Sequence, residues 1–280
     1  MRPLFILAAS MCMACVGASP SGGGKPFVFG WGPGEVSIEE SVERDGEVLT
    51  LVWKARLEAE RGRLRMTFSE PQLSEGFTAA LGPGGSHPFY QVMPDLLIDP
   101  KTGALLGIER TREALEAHGR MGLEKKTDER SFGAVKTQEE VAARARTRWE
   151  SWTRLVGFEQ KANTTSEDRQ TIDLEDGQKM PVVTTTSHSS DGAHSVVKVV
   201  RTFSGAKVTE IYKEVIASTG ASPDEVAAVE KVIREEHYEA TLEPRTTRPT
   251  TVRKRELTTE HSRGDRVKMH AASEAWTFVW

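Results

Sequence analysis

The stretch Leu49-Thr50-Leu51-Val52-Trp53-Lys54-Ala55-Arg56-Leu57-Glu58-Ala59-Glu60 sets Leu49, Leu51, Trp53, Ala55, Leu57 and Ala59 against a second, mostly polar set, residue by residue. Successive side chains of an extended chain point to opposite faces, so this two-fold pattern predicts a strand with one buried and one mostly wet face. Val36, Ile38 and Val42 precede it across Asp45-Gly46, and Leu64, Met66 and Phe68 follow it across Arg61-Gly62. Both dipeptides are turn formers, and the three runs predict an antiparallel meander. Such a sheet has an apolar side that must be covered.

Helices supply the cover. Thr137 and Glu140 form a capping box, and Val141, Ala145, Trp149, Trp152 and Val156 then recur at helical spacing, which puts two indoles on one face. Arg144, Arg146 and Arg148 read as the wet side of this helix. A second stripe is Val208, Ile211, Tyr212, Val215 and Ile216, stopped by Gly220. A third helix starts at Ser222-Pro223-Asp224-Glu225 and carries Val226, Val229 and Ile233. All three read as core elements. Strands return from Gln178 to Phe203, hinged on Asp191-Gly192, and from Tyr238 onward, with turns at Pro244 and Gly264. The predicted class is α+β: a curved, mainly antiparallel sheet of about nine or ten strands packed against three or four helices.

Among 280 residues, 41 acidic and 37 basic side chains give a net charge of -4, which excludes a generally basic nucleic-acid binder. No apolar run approaches the ~20 residues of a membrane-spanning helix. At the start, Arg2 precedes an apolar stretch from Leu4 to Met13 and then small residues, the anatomy of a secretory leader. Both cysteines, Cys12 and Cys15, fall inside it, so no disulfide can staple the body. Ala14-Cys15 followed by Val16-Gly17-Ala18 resembles a bacterial lipobox, with Cys12 where the usual Leu stands. That resemblance implies a diacylglycerol thioether on Cys15; Val16 in place of Asp implies sorting to the outer membrane in a cell with two membranes. Ordinary cleavage after Ala18, giving a secreted protein, is the alternative. The expected organisation is a signal peptide at 1–15, a flexible linker at 16–34 that includes Ser19-Pro20-Ser21-Gly22-Gly23-Gly24-Lys25, and a single α+β domain at 35–280.

Ile98-Asp99-Pro100-Lys101-Thr102 is echoed by Leu242-Glu243-Pro244-Arg245-Thr246, and Ile108 and Val252 stand at equivalent distances behind. Tight-turn chemistry alone generates both copies, or they mark two related halves. The hairpin at Asp99, Pro100, Thr102 and Gly103 resembles one found in envelope lipoproteins of the LolA and LppX type, which implies a half-barrel wrapped around a lipid-accepting cavity. The second copy has Thr247 in place of the glycine, and this fold starts with strands where those carriers start with a helix.

Catalytic motifs are sparse. The loop Gly82-Pro83-Gly84-Gly85 lacks the lysine of a phosphate cradle. His188, Ser189, Ser190, Asp191 and His194 gather a base, hydroxyls and a carboxylate at one hairpin, where a polar turn, a two-histidine metal site or a hydrolase relay are the readings. Glu235 and Glu236, adjacent in sequence, do not pair as acid and base. Between Pro244 and Lys268, eight basic residues face three acidic ones, leaving a local charge of +5 that reads as a solvated strand face or an anion-meeting surface. The alternating Trp276, Phe278 and Trp280 read as core anchors of a closing strand rather than a barrel signature. The leading functional expectation is a non-enzymatic, membrane-anchored envelope lipoprotein that binds a lipid or other apolar ligand between sheet and helices. Trp53, Trp149, Trp152, Arg253 and Arg255 are its candidate ligand residues. No cofactor, metal or nucleic-acid partner is expected. A tethered protein-interaction module with a solid core, and a hydrolase using Ser190, Asp191 and His194, are the alternatives.

Overall fold

The computed structural model describes residues 26–44, 47–69, 72–73, 92–123, 137–159, 161–174, 179–244 and 248–280. Strands β1 (Gly34–Arg44), β2 (Glu47–Glu60) and β3 (Arg63–Phe68) form the expected meander. Leu51, Trp53, Ala55 and Leu57 are buried while Lys54, Arg56 and Glu58 are exposed; the alternation ends at Ala59, which faces solvent beside the turn. Arg61 and Gly62 both have positive φ, the backbone that a two-residue hairpin needs to match strand twist. The chain continues through β4 (Gln72–Leu73), β5 (Asp95–Ile98), β6 (Leu105–Glu109), α1 (Thr111–Leu123) and α2 (Gln138–Thr153). It then runs through β7 (Thr164–Asp173), β8 (Lys179–Ser190), β9 (Ser195–Phe203), α3 (Ala206–Ser218) and α4 (Pro223–Ala228), and ends in β10 (Val229–Leu242), β11 (Pro249–Ser262) and β12 (Arg266–Val279).

The strands of the described residues join one open, curved antiparallel sheet in the order β6-β5-β3-β2-β1-β12-β11-β10-β9-β8-β7, with β4 beside β2 off this path. Eleven strands in the path therefore replace the expected nine or ten. One addition is β7, an edge strand whose single large apolar residue is Ile172; charged, polar edges resist pairing with other chains and leave little hydrophobic signal. Strands β1 and β12, far apart in sequence, are neighbours mid-sheet, with Ile38 opposite Phe278 and Glu40 opposite Trp276.

Helix α2 carries the predicted capping box and buries Val141, Ala145, Trp149 and Trp152 on the sheet. This core includes Trp53, Trp276 and Phe278 and reaches back to Phe29 and Trp31, so packing begins inside the segment read as linker at 16–34. Trp31 meets Trp149 edge-on at 4.9 Å and Trp280 at 4.8 Å. Trp149 donates its indole N–H to the Gly103 carbonyl at 2.9 Å. Gly103 has φ +72°, and a Cβ there would lie 2.4 Å from the Phe29 ring, so glycine is required twice over. A second cluster forms where α3 lays Val208 and Ile216 over Met180, Val182, Phe203, Val229 and Val232.

The third predicted helix is corrected. It is capped at Ser222 and Glu225 as expected, but α4 stops at Ala228 and buries no side chain, so it is not a core helix. Val229 and Ile233 belong to β10. Three β-branched residues, Val229, Val232 and Ile233, favour extended backbone, and there Val229 and Val232 reach the second cluster.

The two echoed segments both make hairpin turns. Asp99 accepts hydrogen bonds from the backbone N–H groups of Lys101 and Thr102, which hold its carboxyl below the usual range. Glu243 N–H donates to the Arg248 carbonyl, while residues 245–247 lie outside the described ones. Ile108 pairs with Leu96 and Val252 with Ala240, so the echoed positions occupy equivalent registers.

Arg148 is not on the wet side of α2. Its guanidinium grips Glu40 through Nε at 3.1 Å and Nη2 at 3.0 Å, and Trp276 Nε1 donates to the same carboxylate at 3.1 Å. The Glu40 side chain is 2% exposed, and Arg148 also lies over the Trp53 ring at 5.3 Å. Burial pushes the Glu40 carboxyl up, against the opposing pull of Arg148. Removing one member of such a buried pair strands the other. Glu40→Leu and Arg148→Met should each destabilise the fold by about 3–5 kcal/mol, and the double variant should recover most of the loss. Urea unfolding of the four proteins checks this; small, additive single effects would refute it.

Candidate functional site

The sequence-derived ligand residues do not share a face. Trp53, Trp149 and Trp152 are brought together in the core on the helix-covered, inner side of the sheet. Trp152 touches Phe278, Trp149 and Trp276 at centroid distances of 5.6, 6.4 and 6.5 Å, so the indoles pack on one another and on neighbouring rings. Arg253 and Arg255 point the other way: they are exposed on the outer face of β11, whereas Val252, next to Arg253 on the same strand, is buried inward. Cys15 and the Gly82-Pro83-Gly84-Gly85 loop lie outside the described residues.

The histidine hairpin is a built turn. Asp191 Oδ1 accepts the N–H groups of Ala193 and His194, which holds its carboxyl low, and the Ser190 hydroxyl donates to the His194 carbonyl at 3.2 Å. His194 is exposed at the tip. His188 is buried on the inner face, edge-on to Phe27 at 5.4 Å, and Ser189 faces outward. The carboxylate thus orders backbone, and no Asp–His–Ser relay is assembled. Among the described residues no group of three or more His, Cys, Asp or Glu side chains is placed to hold a metal ion.

A charged band occupies the inner face between the two apolar clusters. Its origin is visible strand by strand. In β10 the inward set runs Val232, Arg234, Glu236, Tyr238, Ala240, Leu242: apolar at both ends, charged in the middle. The paired positions continue it, with Arg201 of β9 opposite Glu236, and Glu256 and Lys254 of β11 opposite Glu236 and Tyr238. Glu274 of β12 lies opposite Lys254, and Arg154, just past the end of α2, reaches over from above. Four cations and three carboxylates therefore crowd a strip crossing four strands between α2 and α3.

The cations are stacked on rings. Arg154 lies 4.9 Å from the Tyr238 centroid, Arg201 5.2 Å and Arg234 6.0 Å from Phe203, and the Lys254 ammonium 5.8 Å from Trp276. Each contact of this kind contributes roughly 0.5–2 kcal/mol, more as water is excluded. Ion pairing is partial. Arg234 Nη2 bridges Glu236 at 3.1 Å and Glu256 at 3.3 Å, and Arg201 reaches Glu236 only at 3.6 Å. Arg234 Nε is buried with no hydrogen-bond acceptor among the described residues. Side-chain exposures of 19% for Arg201, 24% for Arg234 and 42% for Glu256 leave one side of the band open to solvent. Burial depresses the Lys254 ammonium and the Arg154 guanidinium; burial, reinforced by Glu236 and Glu274, pushes the Glu256 carboxyl up against Arg234.

In the sequence Lys254 and Glu256 read as members of the charge run between Pro244 and Lys268 and Glu236 as the neighbour of Glu235, while Arg154, Arg201, Arg234 and Glu274 carry no site reading. The available signal was a charge at an inward position of an otherwise apolar strand, as at Arg201 between Val199 and Phe203. Compared with known proteins, the chain matches no family model and no curated protein.

A carboxyl whose folded pKa is raised contributes stability that is present at acid pH and lost as pH rises through that value. Glu256→Gln, which mimics the protonated form, should therefore unfold at higher urea than the parent at pH 7. That gain should vanish below the ordinary carboxyl value of 4.5. Paired urea titrations at pH 7 and pH 4 read it out; a variant less stable than the parent at pH 7 would contradict the assignment.

Proposed function

We propose that this protein is a non-enzymatic binding protein of the bacterial cell envelope, tethered through Cys15, whose ligand site is the charged inner-face band between α2 and α3. One observation carries the reading. The fold fixes four cations over aromatic faces on the sheet and leaves the pairing of Arg201 and Arg234 incomplete, with one side of the band open to solvent. Desolvating charge without completing its pairing weakens a fold, and sites for ligands are where such an arrangement persists. The ligand site thus shifts from the tryptophan core to its border, where charge and ring faces meet. The leader, the lipobox-like Ala14-Cys15 and the Gly/Ser-rich spacer support the tether.

A second reading, an interaction module, is favoured by the outer face, where Val267 and Met269 are 57% and 65% exposed. Arg253 and Arg255 stand exposed on the adjacent β11. Under that reading crosslinking in cells captures one discrete protein through the outer face, and the inner band is dispensable.

Two measurements test the proposal. Mass spectrometry of the mature protein should find an acylated Cys15, whereas an N-terminus at Ser19 would remove the anchor. Native mass spectrometry after gentle purification should find a small molecule bound to the parent and lost from an Arg201→Ala/Arg234→Ala variant. Ligand retained by that variant would move the site elsewhere, and a parent that carries none would overturn the binding role.

A further inference from the structure

We infer that the outer face of the sheet is where two copies of this chain meet, back to back, about a two-fold axis that runs along β12. This surface is separate from the inner-face band and stands whether or not that band holds a ligand. The outward positions of β12 are Val267, Met269, Ala271, Ser273, Ala275, Thr277 and Val279, and none of them carries a charge. Val267, Met269 and Val279 are 57%, 65% and 66% exposed, and Val48, on the same face of β2, is 57% exposed. Apolar side chains gathered in this way over the middle of a sheet mark a surface that a partner covers.

The charges beside this strip identify the partner. Glu39 and Glu43 flank it on β1, Arg253 and Arg255 flank it on β11, and all four are exposed. Glu43 and Arg255 stand opposite the same residue, Ser273, while Glu39 stands opposite Thr277 and Arg253 opposite Ala275. The Ser273 hydroxyl donates to Glu43 at 3.2 Å, and Glu39, Arg253 and Arg255 form no ion pair among the described residues. A membrane surface or a polyanion presents one sign of charge and would repel the acidic side. A second copy turned over about β12 presents both signs in reverse order. Its β1 lies over the first copy's β11, so Glu43 faces Arg255, Glu39 lies one outward position along from Arg253, and the same contacts repeat on the other side. Strand β12 then faces its own copy, Met269 against Met269 and Val267 against Val267. One strand further out, Val48, Thr50 and Val52 of β2 come opposite His237, Glu239 and Thr241 of β10, so no two like charges meet. An axis across the strands would instead stack β1 on β1 and set glutamates against glutamates. The five strands β2, β1, β12, β11 and β10, spaced about 4.8 Å and paired over about 30 Å, offer roughly 700 Å² per copy, the scale of a standard specific interface.

Sedimentation equilibrium of the full-length chain in density-matched detergent, which suits an acylated or a plain N-terminus alike, reads the association. The parent is expected at twice the chain mass at micromolar concentration. Arg253→Glu/Arg255→Glu and Glu39→Arg/Glu43→Arg should each weaken the dimer at least roughly a hundredfold, because like charges then face across the contact. Equal amounts of the two variants, mixed, should associate as the parent does, since each supplies the charges that the other lacks. Met269→Glu, which sets a new carboxylate against its own copy on the axis, should dissociate the pair as well. All the substituted positions are exposed, so the fold is retained, which circular dichroism checks. A parent that stays monomeric would overturn the inference. So would a dimer indifferent to the swaps or to Met269→Glu, or swapped chains that fail to associate with each other. Ligand carried by a monomeric parent would leave the binding role of the inner band standing without the dimer.

Discussion

The buried carboxylate of Glu40 is the constraint around which the molecule is organised. It sits on β1, is bonded to Arg148 of α2, and accepts the indole N–H of Trp276 on β12. Three elements that the chain could combine in several registers are thereby fixed in one. A one-residue slip of β1 against β12 would turn Glu40 outward and leave Arg148 without its counter-charge against an apolar wall, an error far worse than a lost hydrophobic contact. Hydrophobic burial drives the helix onto the sheet, but it is nearly indifferent to a small slide. The ion pair is not.

With α2 fixed in place, the inner face has room for a second helix only further along the strands, where α3 covers Phe203, Val229 and Val232. Neither helix covers the strip between. The sheet there could have been apolar and exposed, inviting aggregation, or polar and wet. It is instead charged, with each cation held against a ring at the border of a core. Rings that belong to packing also orient guanidinium groups, so the same side chains serve the core and the charged band.

Much of this architecture was legible in the residues themselves. The strict alternation around Trp53, the capping box at Thr137 and the turn dipeptides at 61–62 and 191–192 are local devices whose physics does not wait for tertiary structure. What escaped was set by long-range pairing. β7 was invisible because an edge strand needs no hydrophobic stripe. Val229 and Ile233 fit a helix by spacing and a strand by branching, and only the apolar cluster beneath them chose. Arg148 looked like a surface residue because its partner lies 108 positions away. The candidate site was illegible for the same reason. Arg154, Arg201, Arg234 and Lys254 are scattered over a hundred residues and become neighbours only when β9, β10 and β11 lie side by side beneath the end of α2.

The pairing of β1 with β12 carries a temporal implication. Glu40 and Trp276 are separated by 236 residues, and closing a loop of that size costs roughly 5 kcal/mol of chain entropy before any contact rewards it. The middle of the sheet therefore cannot be completed during synthesis; it must wait for the final strand to arrive. Until then β1 presents an unsatisfied backbone edge and a carboxylate with only part of its hydrogen-bonding partners. The two halves of the sheet can form their local hairpins beforehand, but they are locked to each other only when the last strand of the chain has been made.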